Sequence, residues 1–454
     1  MKNFNLAVIG AGPAGYTAAL EAASFGKSVV CIERDKVGGT CLNRGCIPTK
    51  TIIESALCFQ KIAKATDFGI DVGAAAVDYP KVLARANSAI ERLSKGVEFL
   101  LKKANVEYVC GSAKVCADNV IEVKTDSEIL QISADKILIA TGAKQKKNPE
   151  ILKAGERILT STEALMLAKI PESAIVLGAG AIGLEFAWIW NAFGCKVTLV
   201  EFEKNILPSA NPEVSKNLER ALKKHGVQIK TGCCAKRANA DAHSVSVEIA
   251  DANGNLETLT AEYVLWACGM EADCANLFAP EIMPDTHANG FLKIDKRFQT
   301  SRANIYAAGD IVGAPMLAHA AITEARCAVD AMFGAGNLAK GAIPACVYTS
   351  PQVACVGVSE DGADLLATKI AYMANGKAVA ANKTEGFLKI VYDKNSGVIK
   401  GAHIMGEDAS ELISNFVIAV DKNLTCKELA AMTFPHPTLG ELITDTLKVL
   451  PCTK

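Results

Sequence analysis

Two glycine fingerprints built on the same ruler constrain this 454-residue chain more than anything else in it. The first follows a short apolar strand, residues 6–9, as Gly10-Ala11-Gly12-Pro13-Ala14-Gly15, and opens an alanine-rich helix reaching about Phe25. A second strand, residues 28–32, then ends at Glu33. The same order returns later. A strand at 174–177 leads into Gly178-Ala179-Gly180-Ala181-Ile182-Gly183, a helix follows, and a strand at 196–200 ends at Glu201. Glycine to acid is 23 residues in both copies. One such fingerprint is a weak signal, but two in strand–turn–helix context with matched acids are not chance. The first glycine permits a tight turn, the second lets backbone amides approach a pyrophosphate, and the third lets helix pack on strand. The helix N-terminus adds partial positive charge, and each acid is placed to accept hydrogen bonds from an adenosine ribose. The expected fold is α/β, with two Rossmann-like dinucleotide-binding domains, and two cradles imply two dinucleotides.

Between the cradles lies Gly38-Gly39-Thr40-Cys41-Leu42-Asn43-Arg44-Gly45-Cys46-Ile47-Pro48-Thr49-Lys50. Alone, two cysteines at this spacing would read as small buried hydrophobes. The Gly-Gly entry, the Pro-Thr-Lys exit and the position just after the first fingerprint favour a redox dithiol. Such a pair can exchange two electrons with a bound flavin through thiol–disulfide exchange.

This segment resembles the redox signature of the flavin-dependent pyridine nucleotide–disulfide oxidoreductases, most closely the branch that oxidises dihydrolipoamide. Later motifs extend the resemblance over nearly the whole chain. It implies one non-covalent FAD per subunit in the first cradle, held at Gly10, Gly12, Gly15, Glu33, Gly39, Thr40, Lys50, Ala113, Thr141, Gly142, Asp310 and Ala318. It implies NAD in the second, at Gly178, Gly180, Gly183, Glu185, Glu201 and Gly269. Lys50 and Glu185 are expected to pair beside the flavin. Glu201 itself favours NAD over NADP, because a carboxylate suits a free 2′-hydroxyl and repels a 2′-phosphate. Met270 stands where the family has arginine.

From about Gly341 the pattern changes to alternating strands, including 386–392 and 398–403, with helices near 409–422 and 426–432. This resembles the family's antiparallel interface domain, through which two subunits form a homodimer. Phe434-Pro435-His436-Pro437-Thr438-Leu439-Gly440-Glu441 supplies the base that dithiol chemistry needs, an imidazole oriented by a carboxylate. By resemblance His436 and Glu441 serve the dithiol of the other subunit, and the catalytic set is Cys41, Cys46, His436 and Glu441. Pro435 and Gly440 depart from the family sequence. The expected domains are 1–145 for FAD, 146–272 for NAD, 273–340 as the return to the FAD domain, and 341–454 as the interface.

Composition narrows the partners. With 48 basic against 49 acidic residues there is no global field to draw nucleic acid or an anionic membrane. Residues 175–194 are nearly uncharged, yet their glycines and Glu185 read better as a βα turn than as a membrane span. Sixteen cysteines in a long chain without a signal-like start point to a reducing cytoplasm. No zinc-type cysteine pairing emerges, so no metal is expected. No lipoyl domain precedes Met1, so the lipoyl group should come from a partner, an acyltransferase or a glycine-cleavage H-type protein. The expected reaction is oxidation of dihydrolipoamide with reduction of NAD+. The alternatives are an NAD(P)H-dependent reductase of another small disulfide, and a redox-inactive flavoprotein scaffold. A mercury-reducing enzyme is disfavoured because Cys452 stands without a neighbouring cysteine.

Overall fold

Each fingerprint sits at the carboxyl end of a strand flanked by parallel neighbours, in the α/β architecture that the two copies require. The structure, a computed structural model, describes residues 1–146, 148–152, 155–359 and 362–448. Cys452 lies outside them. The chain divides into two units. One comprises Met1–Ile52, Pro80–Lys146 and Gly269–Lys340; the other comprises Ile53–Tyr79, Lys147–Cys268 and Gly341–Lys454.

In the first unit, Lys2–Ile9 is central in a seven-stranded sheet, between Val29–Glu33 and Ile129–Ile139. From Leu6 onward its side chains alternate: Leu6 and Val8 enter one core, Ala7 and Ile9 the other, which Phe4 also joins. Both faces are therefore buried, as parallel sheets require. The helices Pro13–Ser24 and Ala318–Phe333 share the first of these cores through small residues, among them Ala18, Ala22, Ala325 and Ala328. Ile305–Ala307 pairs in parallel beside Ile129–Ile139, which brings the Gly309–Asp310 turn to the carboxyl edge of the sheet.

The second unit holds a five-stranded parallel sheet in the order Gln228–Lys230, Lys196–Val200, Ser173–Leu177, Tyr263–Trp266, Ile158–Leu159. The apolar run at 175–194 resolves into the strand Ser173–Leu177 and a 12-residue helix, Ala181–Ala192. Among the described residues no helix is long and apolar enough to cross a membrane. The unit also carries an antiparallel five-stranded sheet in which Ile399–Gly406 pairs with Gln352–Gly357 and Phe387–Asp393. Helix Ala409–Asp421 covers it, burying Ile413 and Phe416. Helix Cys426–Ala430 is closed by a capping box between Thr425 and Glu428. Among the elements not anticipated are the 25-residue helix Tyr79–Lys103, the helix Pro212–Lys224 and the antiparallel meander Cys234–Ala240, Val245–Ala250, Leu256–Ala261.

Candidate active site

The first cradle is set by contact distances. A Cβ on Gly10 would stand 2.4 Å from the Ala140 carbonyl oxygen, and one on Gly15 would stand 1.7 Å from the Gly10 oxygen. Any side chain at either position would push strand, turn and helix apart. Glu33 is buried and organises the loop: Oε2 accepts the Ala11 N–H at 2.7 Å and Oε1 the Asp35 N–H at 2.9 Å. A carboxylate offers about four acceptor positions, so capacity remains for a ribose. The Glu33 carbonyl takes the Gly111 N–H at 2.8 Å, which draws the strand carrying Ala113 to the cradle. Thr141 Oγ1 is buried with no protein partner, next to Gly142, whose φ is +75°. A buried hydroxyl without a partner is costly unless a ligand satisfies it. Together with the glycine loop and the Glu33 carboxylate, it fits a bound dinucleotide here.

The redox segment lies directly on this cradle. Gly38 donates its N–H to the Ala11 carbonyl at 2.8 Å, and a Cβ on Gly39 would stand 2.6 Å from Gly12 Cα. Thr40 and Cys41 follow in the short helix Gly39–Arg44, and Cys46 begins the helix Cys46–Ala63. Gly45 makes the break between them, where a Cβ would meet the Thr40 carbonyl oxygen at 2.9 Å. Asn43 fastens the loop by donating to the Val37 and Gly39 carbonyls at 3.0 and 2.9 Å. Pro48 falls in the first turn of the second helix, where a missing N–H costs nothing. Lys50 is four residues beyond Cys46, on the same helix face.

The sequence predicts a depressed thiol pKa from the helix dipole, and Cys41 goes the other way. Its thiol is raised, first by the hydrogen bond with Cys46, then by burial and by the charges of Cys46 and Asp310; Lys50 opposes these. In the dithiol form the hydrogen bond between the two sulfurs holds the proton on Cys41. Asp310 itself is pushed up to about 6, by burial and then by Glu324. Ala318 opens the helix Ala318–Phe333 in the same unit.

The second cradle repeats the first bond for bond. A Cβ on Gly178 would stand 2.6 Å from the Ala267 oxygen, and one on Gly183 would stand 1.9 Å from the Gly178 oxygen. Glu201 Oε2 accepts the Ala179 N–H at 2.5 Å and Oε1 the Glu203 N–H at 2.8 Å. Around Gly180 nothing lies within 4 Å of a Cβ position. Glu185 is buried one turn into the helix, and its Oε1 accepts the Tyr348 N–H at 3.1 Å. Gly269 belongs to the first unit, where its carbonyl accepts the Lys146 N–H at 3.1 Å.

His436 and Glu441 meet as the sequence suggests, Nδ1 to Oε1 at 2.8 Å. Glu441 Oε2 accepts the Thr438 N–H at 2.9 Å, and that bond, followed by the one to His436, holds the carboxyl below its usual range. The imidazole is 80% exposed. The first unit thus gathers the dithiol, Lys50, Asp310 and the first cradle, while the base pair and the second cradle, with Glu185, belong to the other.

Sequence reasoning missed Glu324, a buried acid whose Oε2 accepts the Gly309 N–H at 2.9 Å. Its signal was available: it shares the buried stripe of Ala321, Ala325 and Ala328, where an acid needs a partner.

Known proteins share this architecture. The family model for pyridine nucleotide-disulphide oxidoreductase matches residues 4–325, and the model for that family's dimerisation domain matches 343–447. Dihydrolipoyl dehydrogenase from Chlorobaculum tepidum is 37% identical over 97% of this chain and 96% of its own. The enzyme of that name from Geobacillus stearothermophilus is also 37% identical, over 97% and 95%. Among solved structures, LpdA from Mycobacterium tuberculosis superposes with a TM-score of 0.91 at 26% identity, covering 99% of both chains. The HOCl-induced flavoprotein disulfide reductase RclA from Escherichia coli, as its Cu(II) complex, gives 0.89 at 27%, covering 99% of this chain and all of that one.

Proposed function

The chain belongs to the pyridine nucleotide-disulphide oxidoreductase family, and from that membership we propose that it oxidises protein-bound dihydrolipoyl groups with NAD+. It uses FAD and NAD and carries the family's dimerisation domain. The observation that carries the reading is the Cys41–Cys46 pair laid against the first cradle through Gly39 and Gly12. The choice of substrate rests on the relatives: the chain is 37% identical to dihydrolipoyl dehydrogenases over 97% of its length.

Gly10, Gly12, Gly15, Glu33, Thr141 and Asp310 hold FAD, with residues 1–145 and 273–340 as its domain. Gly178, Gly180, Gly183 and Glu201 hold NAD within 146–272. When bound, FAD carries the electron pair from the dithiol to NAD+. The residues manage sulfur and protons. Glu441 fixes His436 through Nδ1, which leaves Nε2 to take a proton from a substrate thiol. That thiolate attacks Cys41 of an oxidised pair, the Cys41–Cys46 bond breaks, and Cys46 leaves as a thiolate at the start of its helix, one turn from Lys50. The second substrate thiol then attacks the sulfur bonded to Cys41, closes the lipoyl disulfide and releases Cys41, which takes that thiol's proton, while His436 keeps the first proton as counter-charge to the Cys46 thiolate. Its high exposure supports His436 serving the dithiol of the partner subunit. Lys50, one turn beyond Cys46, supplies positive charge near the flavin. The lipoyl group arrives on an acyltransferase or a glycine-cleavage H-type protein. Sixteen cysteines scattered through a long chain support a cytoplasmic location.

Steady-state assays test the substrate. NAD+-dependent oxidation of dihydrolipoamide should exceed NADH-dependent reduction of glutathione disulfide by about a hundredfold in kcat/KM, a difference of roughly 2.7 kcal/mol. The reverse ranking would transfer the chain to the small-disulfide reductases.

A further inference from the structure

Glu324 is 3% exposed and carries two polar contacts. Oε2 accepts the Gly309 N–H at 2.9 Å, and Oε1 pairs with Lys340 Nζ. Gly309 has φ +82°, and a Cβ there would stand 3.1 Å from Ala14 Cβ and 3.3 Å from Ala321 Cβ. The Gly309–Asp310 turn is therefore gripped between the first-cradle helix and the helix that bears Glu324. A second acid on that helix, Asp330, accepts the Leu338 N–H at 2.8 Å. Asp330 and Glu324 together fix the register in which residues 338–340 run back along the helix, and so deliver Lys340. A buried carboxylate left unpaired would be strongly unfavourable, and Lys340 removes that penalty. The negative charge of Glu324 reaches Asp310, where it adds to burial in raising the carboxyl.

We infer that Glu324, neutralised by Lys340, is a positioning residue for FAD: it fixes the Gly309–Asp310 turn against the first cradle and so sets how firmly Asp310 retains the cofactor. This rests on the assignment of FAD to the first cradle.

The test compares wild-type holoenzyme with Glu324→Ala, Glu324→Gln and Lys340→Met. Two quantities are read: the rate of FAD release, from recovery of free flavin fluorescence on dilution, and the melting temperature of each apoprotein. Removing the acceptor strands a buried N–H, so Glu324→Ala should release FAD about tenfold faster. Glu324→Gln, whose amide oxygen can still accept from Gly309, should show a smaller increase, as should Lys340→Met, with all apoproteins melting within a few degrees of wild type. FAD release at the wild-type rate in both Glu324→Ala and Lys340→Met would overturn the inference. So would release that rises only in step with loss of apoprotein stability. Should Glu324→Ala fail to fold, Glu324→Gln and Lys340→Met decide by the same two readings. A wild-type protein that never held FAD would overturn both this inference and the cofactor assignment beneath it.

Discussion

The two cradles share a design and differ in what covers them. In each, the third glycine presses on the first, and the acid binds one N–H from the glycine loop and one from two residues beyond itself. Each loop also receives a third tie: Gly38 donates to the Ala11 carbonyl at 2.8 Å, and Leu207 to the Ala179 carbonyl at 2.9 Å. There the paths part. After Gly38 the chain lays Gly39 on Gly12 and starts the dithiol helix. After Leu207 it turns through Asn211 into the helix Pro212–Lys224 and leaves Gly180 uncovered. The same nucleotide-binding unit is wrapped in one copy and open in the other. That difference suits a resident cofactor in the first and an exchanging substrate in the second.

The largest test separates the cradles outright. Cys46→Ser should lower dihydrolipoamide turnover by about three orders of magnitude or more, as loss of a covalent participant does. Electron transfer from NADH to a small artificial acceptor should survive, because both cradles are untouched. His436→Gln should cost about a hundredfold or more in the dithiol reaction, the range for loss of a general base, and again spare the artificial acceptor. A comparable loss in both assays would mean His436 is structural.

Next come the middle glycines. Gly180→Ala meets empty space and Gly12→Ala meets Gly39 Cα at an ordinary 3.9 Å, so both proteins should fold. The first should raise the KM for NAD+ roughly tenfold, about 1.4 kcal/mol, with FAD retained. The second should shed FAD on gel filtration. Equal behaviour of the two variants would erase the distinction between wrapped and open.

The smallest effect lies behind the open cradle. Glu213, at the start of helix Pro212–Lys224, binds Lys369 and, at 2.8 Å, the buried Lys389. Burial pushes its carboxyl up, but the hydrogen bonds from Lys369 and Lys389 outweigh that and leave it below the ordinary 4.5. Its stabilisation is therefore complete above that value and fades as pH falls through the lower, folded one. Glu213→Gln should cost about 1 kcal/mol of unfolding free energy at pH 7 after solvent screening. Denaturation curves of variant and wild type should converge as pH falls below the ordinary carboxylate range; a gap that persists in acid would remove the charge pair from the explanation.

What could be read from sequence follows the range of the forces involved. The cradles were legible because a glycine's need for space and an acid's bond to a nearby loop are local. The His436–Glu441 bond was legible because five residues of chain bring the two together. For Glu324 the alanine stripe signals burial, but its partners were not legible, since Gly309 and Lys340 arrive from either side of its helix. The direction of the Cys41 shift was misjudged for a related reason: a helix dipole is visible in a sequence, but a proton shared with Cys46 is a property of the kink at Gly45. Leu207, at φ +45°, carries no glycine to mark its turn, so the covering of the second cradle also went unread.

The most direct test of the account is anaerobic. Purified protein is mixed with dihydrolipoamide, its visible spectrum is followed, and NAD+ is then added. The expected result is a long-wavelength absorbance from a thiolate beside the flavin, which decays as NADH absorbance grows. A flavin spectrum unchanged by dihydrolipoamide would contradict it and leave the two cradles without the dithiol chemistry assigned to them.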